Sequence, residues 1–232
     1  MSSYQQIREE ANAANKQLPV LGLVIFSFGN VSVADRKAGV FAIKPSGVPY
    51  DELQPEKMVI VDFEGKTVEG KLRPSSDTKT HALLYQNWEN IGAVVHTHSM
   101  YATAWAQAGR DIPIYGTTHA DHFTGPIPCT SPMADDMISG DYEFQTGWQI
   151  IRHLKEKHLR SEEIEMILVG NHAPFTWGKN AAKALYNSAV LESIAQMAIL
   201  TEQINPNAPL LKEALIKKHF ERKHGPDAYY GQ

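Results

Sequence analysis

The stretch Ile91-Gly92-Ala93-Val94-Val95-His96-Thr97-His98 is an apolar run that ends in two histidines. A short apolar run with β-branched residues predicts a buried strand. Side chains two apart along a strand point to the same face, so His96 and His98 can converge on one point. A second apolar run over 166–169 is followed by Asn171-His172, which places a third imidazole at a strand end. Three histidines are typical of a catalytic divalent metal site, because they leave a coordination position open.

The alternative interpretation of His96 and His98 is a hydrogen-bonded or solvated strand end, which a His-Thr-His pair alone does not exclude. An isolated His172 is more often structural than a metal ligand. The other histidines near apolar segments, His81, His153 and His158, fall on predicted helices and are expected to be packing or solvent-facing residues rather than ligands.

The composition is that of an ordinary globular protein, with 43% hydrophobic and 21% charged residues in a chain of 232. We expect one domain over residues 1–232. A net charge of −4 argues against a nucleic-acid partner. The polar first 16 residues and the absence of an apolar stretch of about 20 argue against a signal peptide and a membrane partner. The lone Cys129 excludes an intrachain disulfide and agrees with a cytoplasmic location.

Alternating apolar patterns and turn residues predict a mixed or antiparallel sheet covered by helices. The clearest hairpin has strands over 58–62 and 66–69, around Glu64-Gly65. Either Ser76 or Asp77 is expected to cap the helix that follows it. Helices are predicted over 4–17, 78–88, 100–108, 143–157, 180–204 and 210–222. The other strands are predicted over 21–28, 31–33, 40–43, 91–96, 166–169 and 175–177.

Three small polar pairs stand at predicted loops: Gly29-Asn30, Ser46-Gly47 and Ser75-Ser76. Glycine lets backbone amides approach an anion, serine adds a hydroxyl donor, and a helix N-terminus favours negative charge. Each pair alone is more simply a turn or a cap. The chain has no Walker-type phosphate loop, so a sugar phosphate suits these donors better than a nucleotide triphosphate. Lys44 either belongs to this chemistry or is a solvated charge.

Taken together, the motifs resemble the class II aldolase and L-ribulose-5-phosphate 4-epimerase family, which also includes adducin-like proteins. The resemblance runs through nearly the whole chain. Its blocks are Gly29-Asn30-Val31-Ser32, Lys44-Pro45-Ser46-Gly47-Val48, Pro74-Ser75-Ser76-Asp77-Thr78, Val95-His96-Thr97-His98-Ser99, Gly116-Thr117-Thr118-His119-Ala120-Asp121, Pro174-Phe175-Thr176-Trp177-Gly178-Lys179 and the tail from Arg222 to Gln232.

The resemblance implies an α/β fold in three layers, α/β/α, with a central, largely antiparallel sheet flanked by helices. It implies that His96, His98 and His172 bind Zn²⁺ or another divalent metal such as Mn²⁺ or Co²⁺, with Asp77 as a further ligand. Asp121 and Tyr230 match the pair that moves protons at C4. The residues that match substrate or phosphate positions are Gly29, Asn30, Lys44, Ser46, Gly47, Ser75, Ser76, Thr117, His219 and Arg222.

The family resemblance also implies a homotetramer whose active sites lie between subunits, with His219 and Arg222 contributed by a neighbour. The implied reaction is interconversion of L-ribulose 5-phosphate and D-xylulose 5-phosphate by metal-assisted cleavage and re-formation of the C3–C4 bond. This path needs no nicotinamide, and it serves the breakdown of L-arabinose or L-ascorbate.

Two alternatives remain at this point. A class II aldolase of the L-fuculose- or L-rhamnulose-phosphate type would release its aldehyde, but Asp77 stands where related aldolases carry a Glu. A non-catalytic, adducin-like scaffold would lose metal ligands, whereas this chain keeps all three histidines. The chain departs from the epimerase pattern at Phe28, where Trp is usual, and at His122, where Tyr is usual, and these changes bear on substrate stereochemistry.

Overall fold

The computed structural model describes residues 4–226 and 228–229 of the chain. A short 3₁₀ helix at Pro55–Lys57 accompanies the longer elements. The strands are β1 (Gly29–Asp35), β2 (Val40–Ile43), β3 (Val59–Asp62), β4 (Thr67–Glu69), β5 (Ala93–Thr97), β6 (Met166–Leu168) and β7 (Pro174–Gly178). The helices are α1 (Gln5–Val20), α2 (Thr78–Asn87), α3 (Met100–Ala108), α4 (Thr117–Ala120), α5 (Asp135–Ile138), α6 (Tyr142–Glu156), α7 (Ala181–Ile204) and α8 (Glu213–His224).

Within the described residues the strands form one seven-stranded sheet in the order β4-β3-β2-β1-β5-β7-β6. Each neighbouring pair of strands is antiparallel, as the predicted hairpins indicate. The register places Asn30 of β1 opposite His96 of β5, and His96 opposite Phe175 of β7. Three neighbouring strands therefore bring these side chains to one place on the sheet.

Both faces of the sheet are covered, because consecutive residues of its central strands are apolar and point to opposite sides. Phe41 and Val59 face a core completed by α2, α3, α6 and most of α7. Val40 and Ile60 face the other core, which α1 and the start of α7 complete. The expected three-layer α/β/α architecture with an antiparallel sheet is confirmed.

The prediction of a strand over 21–28 is wrong. This segment forms turns, with Gly22 at φ +68° and Phe26 at φ +53°, and the Phe26 side chain is 83% exposed. Its apolar residues thus resemble a strand in composition but have no strand partner.

Smaller differences concern helix ends. The short helices α4 and α5 were not predicted, and α8 begins at Glu213 rather than at residue 210. His158 lies beyond the end of α6 with φ +56°, and not on a helix. Within residues 4–226 and 228–229, no helix combines the length and apolar character needed to cross a bilayer.

Candidate functional site

The three predicted imidazoles meet at one end of β5 and β7. The ring centroids of His96 and His98 are 5.0 Å apart, and those of His96 and His172 are 4.8 Å apart. The His98 and His172 centroids are separated by 5.1 Å. One nitrogen from each ring lies within 4.8 Å of the others. The grouping is thus compact enough for one cation to contact all three rings.

His96 is held rigidly. Its Nδ1 lies 3.0 Å from the carbonyl oxygen of Pro174, which can only accept, so Nδ1 carries the proton and Nε2 keeps its lone pair. The ring stacks on Phe175 with centroids 4.2 Å apart and planes inclined by 17°. A histidine that donates one N–H to a carbonyl is the usual arrangement of a metal ligand.

His172 reaches the group from the turn between β6 and β7. Asn171, just before it, adopts φ +60°, a left-handed conformation that Asn tolerates better than most residues. The Nδ1 atom of His172 is buried and has no hydrogen-bond partner among the described residues. Such an unpaired nitrogen is costly in an ordinary structural histidine, which favours a ligand role for this ring.

The electrostatics favour neutral imidazoles. Burial, together with the neighbouring His96 and His98, lowers the pKa of His172 to about 3, against an opposing attraction by Asp77. Burial and His96 also lower the pKa of His98. A cation needs the unprotonated ring, and the lowered pKa values of His98 and His172 favour that form of both rings.

Asp77 stands beside the triad at the N-cap position of α2, but its side chain does not cap the helix. Instead Oδ2 accepts from Asn30 Nδ2 at 2.6 Å and from Ser75 Oγ at 3.3 Å. Burial acts to raise the pKa of Asp77, but His96, His81 and the Asn30 hydrogen bond outweigh it and lower the pKa below its ordinary value. Asn30 and Ser75 therefore hold the Asp77 carboxylate in the wall of the cavity that the three histidines also line. The predicted capping role of Asp77 is wrong.

The triad lines a cavity of about 560 Å³. Tyr142 and Glu143 also line it, and sequence reasoning missed both of them. They begin α6, after Asp141, and nothing local marks a helix start as part of a site. The predicted residues that line the cavity are Gly29, Asn30, Lys44, Ser46, Gly47, Ser75, Ser76, Asp77, His96, His98 and His172.

Two of the cavity's loops are tied to each other. The amide of Ser46 donates to Arg73 O, and the amide of Ser75 donates to Lys44 O. Those two amides are used within the protein. Other donors of these two loops have no hydrogen-bond partner among the described residues. They are the Gly47 amide, the Ser46 hydroxyl, and the amide and hydroxyl of Ser76.

Steric and backbone constraints explain why glycine occupies two positions at this cavity. A Cβ on Gly29 would lie 2.8 Å from Val24 Cγ1 and 2.9 Å from His96 O, and its φ of +138° disfavours other residues. Gly47 has φ +72°, which lets the 44–47 loop turn tightly toward the cavity.

Lys44 is almost fully buried at the cavity wall, with Nζ 5.1 Å from the centre of the Tyr50 ring. Its Nζ donates to Pro45 O at 3.3 Å. Burial lowers the pKa of Lys44 to about 8. A buried cation without a carboxylate partner is well suited to an anionic ligand.

The remaining predicted residues form a second cluster that does not line this cavity. Asp121 accepts from His219 Nδ1 at 2.9 Å and from Arg222 through two nitrogens, with Oδ2 to Nη2 at 2.9 Å. Burial acts to raise the pKa of Asp121, but Arg222 and His219 outweigh it and lower the pKa. Thr117 belongs to the same region, since its carbonyl accepts from the Asp121 amide at the start of α4. Tyr230 lies outside the described residues.

Comparison with known proteins agrees with this architecture. The model of the family described as class II aldolase and adducin N-terminal domain matches residues 9–199. The chain is 50% identical over 228 residues to the L-ribulose-5-phosphate 4-epimerase UlaF of Salmonella paratyphi A and to that of Salmonella typhi. In each case the match covers 98% of this chain and 99% of the relative.

Solved structures share the fold. An L-fuculose 1-phosphate aldolase superposes with a TM-score of 0.78 at 23% identity, covering 96% of this chain and 97% of that one. YgbL from Escherichia coli superposes with a TM-score of 0.73 at 23% identity, covering 92% and 97%. Matching sequence, fold and a histidine triad lead to one conclusion: the chain belongs to the class II aldolase and adducin family.

Proposed function

We propose that this chain is an epimerase that interconverts L-ribulose 5-phosphate and D-xylulose 5-phosphate at C4. The carrying observation is the histidine triad in the wall of a cavity that also exposes the serine and glycine loops. Near full-length similarity to proteins named L-ribulose-5-phosphate 4-epimerase supports the choice of substrate. We further propose that residues 1–232 act as one domain, because both cores share one sheet.

The position of the carbonyl dictates the route. It lies at C2, so the C4 proton is not acidic, and its direct removal would leave an unstabilised carbanion. Cleavage of C3–C4 instead gives the enediolate of dihydroxyacetone and glycolaldehyde phosphate. Rotation of this aldehyde and re-addition through its other face inverts C4 without a nicotinamide.

We propose that the site binds a divalent cation, Zn²⁺ with Mn²⁺ or Co²⁺ as substitutes. His96, His98 and His172 would hold this cation, with Asp77 as a further ligand. When bound, it would stabilise the developing negative charge as a Lewis acid. The protein itself fixes the geometry. The Pro174 carbonyl and Phe175 orient His96, and Asn30 orients Asp77. Such preorganisation avoids reorganisation during the reaction.

The loops at 44–47 and 75–76 are proposed to hold the C5 phosphate through Lys44, Ser46, Gly47 and Ser76. Ser75 orients Asp77 and Asn30 rather than offering a free donor. An anchored phosphate lets the aldehyde rotate without leaving the cavity, which is the step that separates epimerisation from aldol cleavage.

We propose that a neighbouring subunit of a homotetramer completes the site with Thr117, Asp121, His219, Arg222 and Tyr230. This proposal is supported by the position of Asp121 and its partners, which lie together in the chain but outside the lining of the histidine cavity. Arg222 and His219 lower the pKa of Asp121 and so favour its carboxylate form, which is proposed to accept the proton of the C4 hydroxyl, and Tyr230 is proposed to serve the opposite face.

The competing function is a sugar-phosphate aldolase that releases its aldehyde. The protein should be assayed with L-ribulose 5-phosphate and, separately, with L-fuculose 1-phosphate. We expect D-xylulose 5-phosphate from the first and no aldehyde from the second. Rapid aldehyde release from L-fuculose 1-phosphate, with no D-xylulose 5-phosphate formed from L-ribulose 5-phosphate, would contradict the epimerase proposal and support the aldolase.

A further inference from the structure

A ladder of polar contacts joins α2 to β1 behind the histidine triad. Asp77, His81 and Tyr85 are spaced four residues apart, so they lie on one face of α2. Asn30 and Ser32 are spaced two apart, so they lie on one face of β1. The first rung joins Asn30 to Asp77, and the next joins Ser32 to His81 and Tyr85.

His81 is the middle member of this ladder and is completely buried. Its Nδ1 lies 2.7 Å from Ser32 Oγ, which also lies 2.8 Å from the Tyr85 hydroxyl. Its Nε2 is buried and has no partner among the described residues. Leaving a polar nitrogen unpaired in a core is costly, so this histidine is a poor choice for packing alone.

The surroundings of His81 connect it with the candidate metal site. Phe175 contacts both imidazoles, with ring centroids 6.2 Å from His81 and 4.2 Å from His96. Burial lowers the pKa of His81 to about 3, against an opposing attraction by Asp77, while His96 adds to the lowering. The two groups that act on the pKa of this buried ring, Asp77 and His96, both line the candidate site.

We infer that His81 is a positioning residue for Asp77: held by Ser32, it fixes the first turn of α2 against β1 and keeps the Asp77 carboxylate oriented toward the histidine triad. This role rests on the proposed metal site. The amide of His81 donates to Asp77 O at 3.0 Å, so a shift of His81 moves the backbone of Asp77 directly. His81 itself does not line the cavity of the histidine triad.

The test measures Co²⁺ binding, because the visible absorption of bound Co²⁺ reports its ligand number and geometry and is independent of turnover. His81→Leu removes both ring nitrogens at similar size, and we expect Co²⁺ affinity to fall by about tenfold or more, as for other residues that orient ligands. The absorption spectrum should change as well. His81→Gln keeps a polar end and should restore part of both losses.

Tyr85→Phe is the matched control, since it removes the neighbouring contact to Ser32 but leaves His81 in place. It should retain the wild-type Co²⁺ spectrum and affinity. Ser32→Ala removes the hydrogen bond that holds His81 but keeps His81 itself. It should change the Co²⁺ spectrum and affinity in the same direction as His81→Leu. If His81→Leu does not fold, Ser32→Ala is used in its place.

Three outcomes overturn the inference in different ways. A wild-type chain that binds no Co²⁺ removes the metal site and the role of His81 together. Normal Co²⁺ binding by the wild type, with unchanged spectrum and affinity in the folded His81 or Ser32 variants, removes only the role of His81. Equal changes in Tyr85→Phe would reduce the ladder to a general structural support and likewise overturn the inference.

Discussion

The ring of His96 stacks on the ring of Phe175, with centroids 4.2 Å apart and an interplanar angle of 17°. The two residues are also directly opposite each other in the pairing of β5 with β7. The stack and the bond to Pro174 O together fix the direction of the free nitrogen of His96. The register of the sheet therefore helps to determine the orientation of His96, a candidate metal ligand.

Phe175→Leu should loosen this ligand. We expect metal affinity to fall by about tenfold, because an orienting neighbour is lost, and the free energy of unfolding to fall by roughly 1–2 kcal/mol, because a buried ring is replaced by a smaller side chain. Chelator competition and urea unfolding measure the two effects. Phe41→Leu, in the core away from the cavity, is the control: it should lose stability but keep metal affinity. Equal affinity losses in both variants would argue against a specific role for the stack.

The pH dependence should report Lys44. Burial lowers its pKa to about 8, so the side chain is charged below that pH and neutral above it. We therefore expect kcat/KM for the sugar phosphate to decline above about pH 8, because kcat/KM reports groups of the free enzyme. Lys44→Arg keeps the charge at high pH and should remove this decline. A decline that persists unchanged in Lys44→Arg would assign it to another group.

Mixing two inactive variants tests whether the site is shared between subunits. His98→Asn damages the metal half and Asp121→Asn damages the proposed partner half. Random reassembly of equal amounts should recover about a quarter of wild-type activity, because each half is intact in half of the positions. Each variant reassembled alone serves as the control. No recovery in mixed tetramers, verified by tagged subunits, would contradict sites built from two chains.

Tyr230→Phe should separate proton transfer from metal binding. Loss of the hydroxyl is expected to lower turnover by about 10²-fold or more, since general acid–base groups contribute on that scale. Metal content should stay at the wild-type level. Tyr229→Phe, one position earlier in the tail, is the control, and unchanged turnover in Tyr230→Phe would remove this residue from the mechanism.

The convergence of His96 and His98 was predictable because its signal is local, and the grouping with His172 followed from the family resemblance. A two-residue spacing at the end of an apolar strand places His96 and His98 on one face, and the structure confirms the convergence with His172. The antiparallel sheet was predictable for a similar reason, since short turns join its hairpins. The small polar pairs at 29–30, 46–47 and 75–76 were candidate anion donors by residue type, and the family resemblance added Asp77 as a candidate ligand. All of them line the same cavity.

What the sequence left out depends on contacts between distant segments. The pairing of Asp121 with Arg222 joins residues 101 positions apart, and no periodicity encodes it. Tyr142 reaches the cavity because α6 packs on α2, where Thr80 Oγ1 donates to Glu143 O at 2.6 Å. The segment 21–28 has strand-like composition, but the strand that follows it, β1, is already paired on both sides with β2 and β5, so tertiary context overrides propensity.

The most direct measurement is a titration of the metal-free protein with Zn²⁺, in which bound metal and conversion of L-ribulose 5-phosphate to D-xylulose 5-phosphate are followed together. We predict that both rise in parallel and saturate at one metal per chain, and that His98→Asn shows neither while His158→Asn behaves as wild type. Full epimerase activity in the metal-free protein would contradict the assignment of the histidine triad. So would a His98→Asn variant that binds one Zn²⁺ per chain as tightly as the wild type.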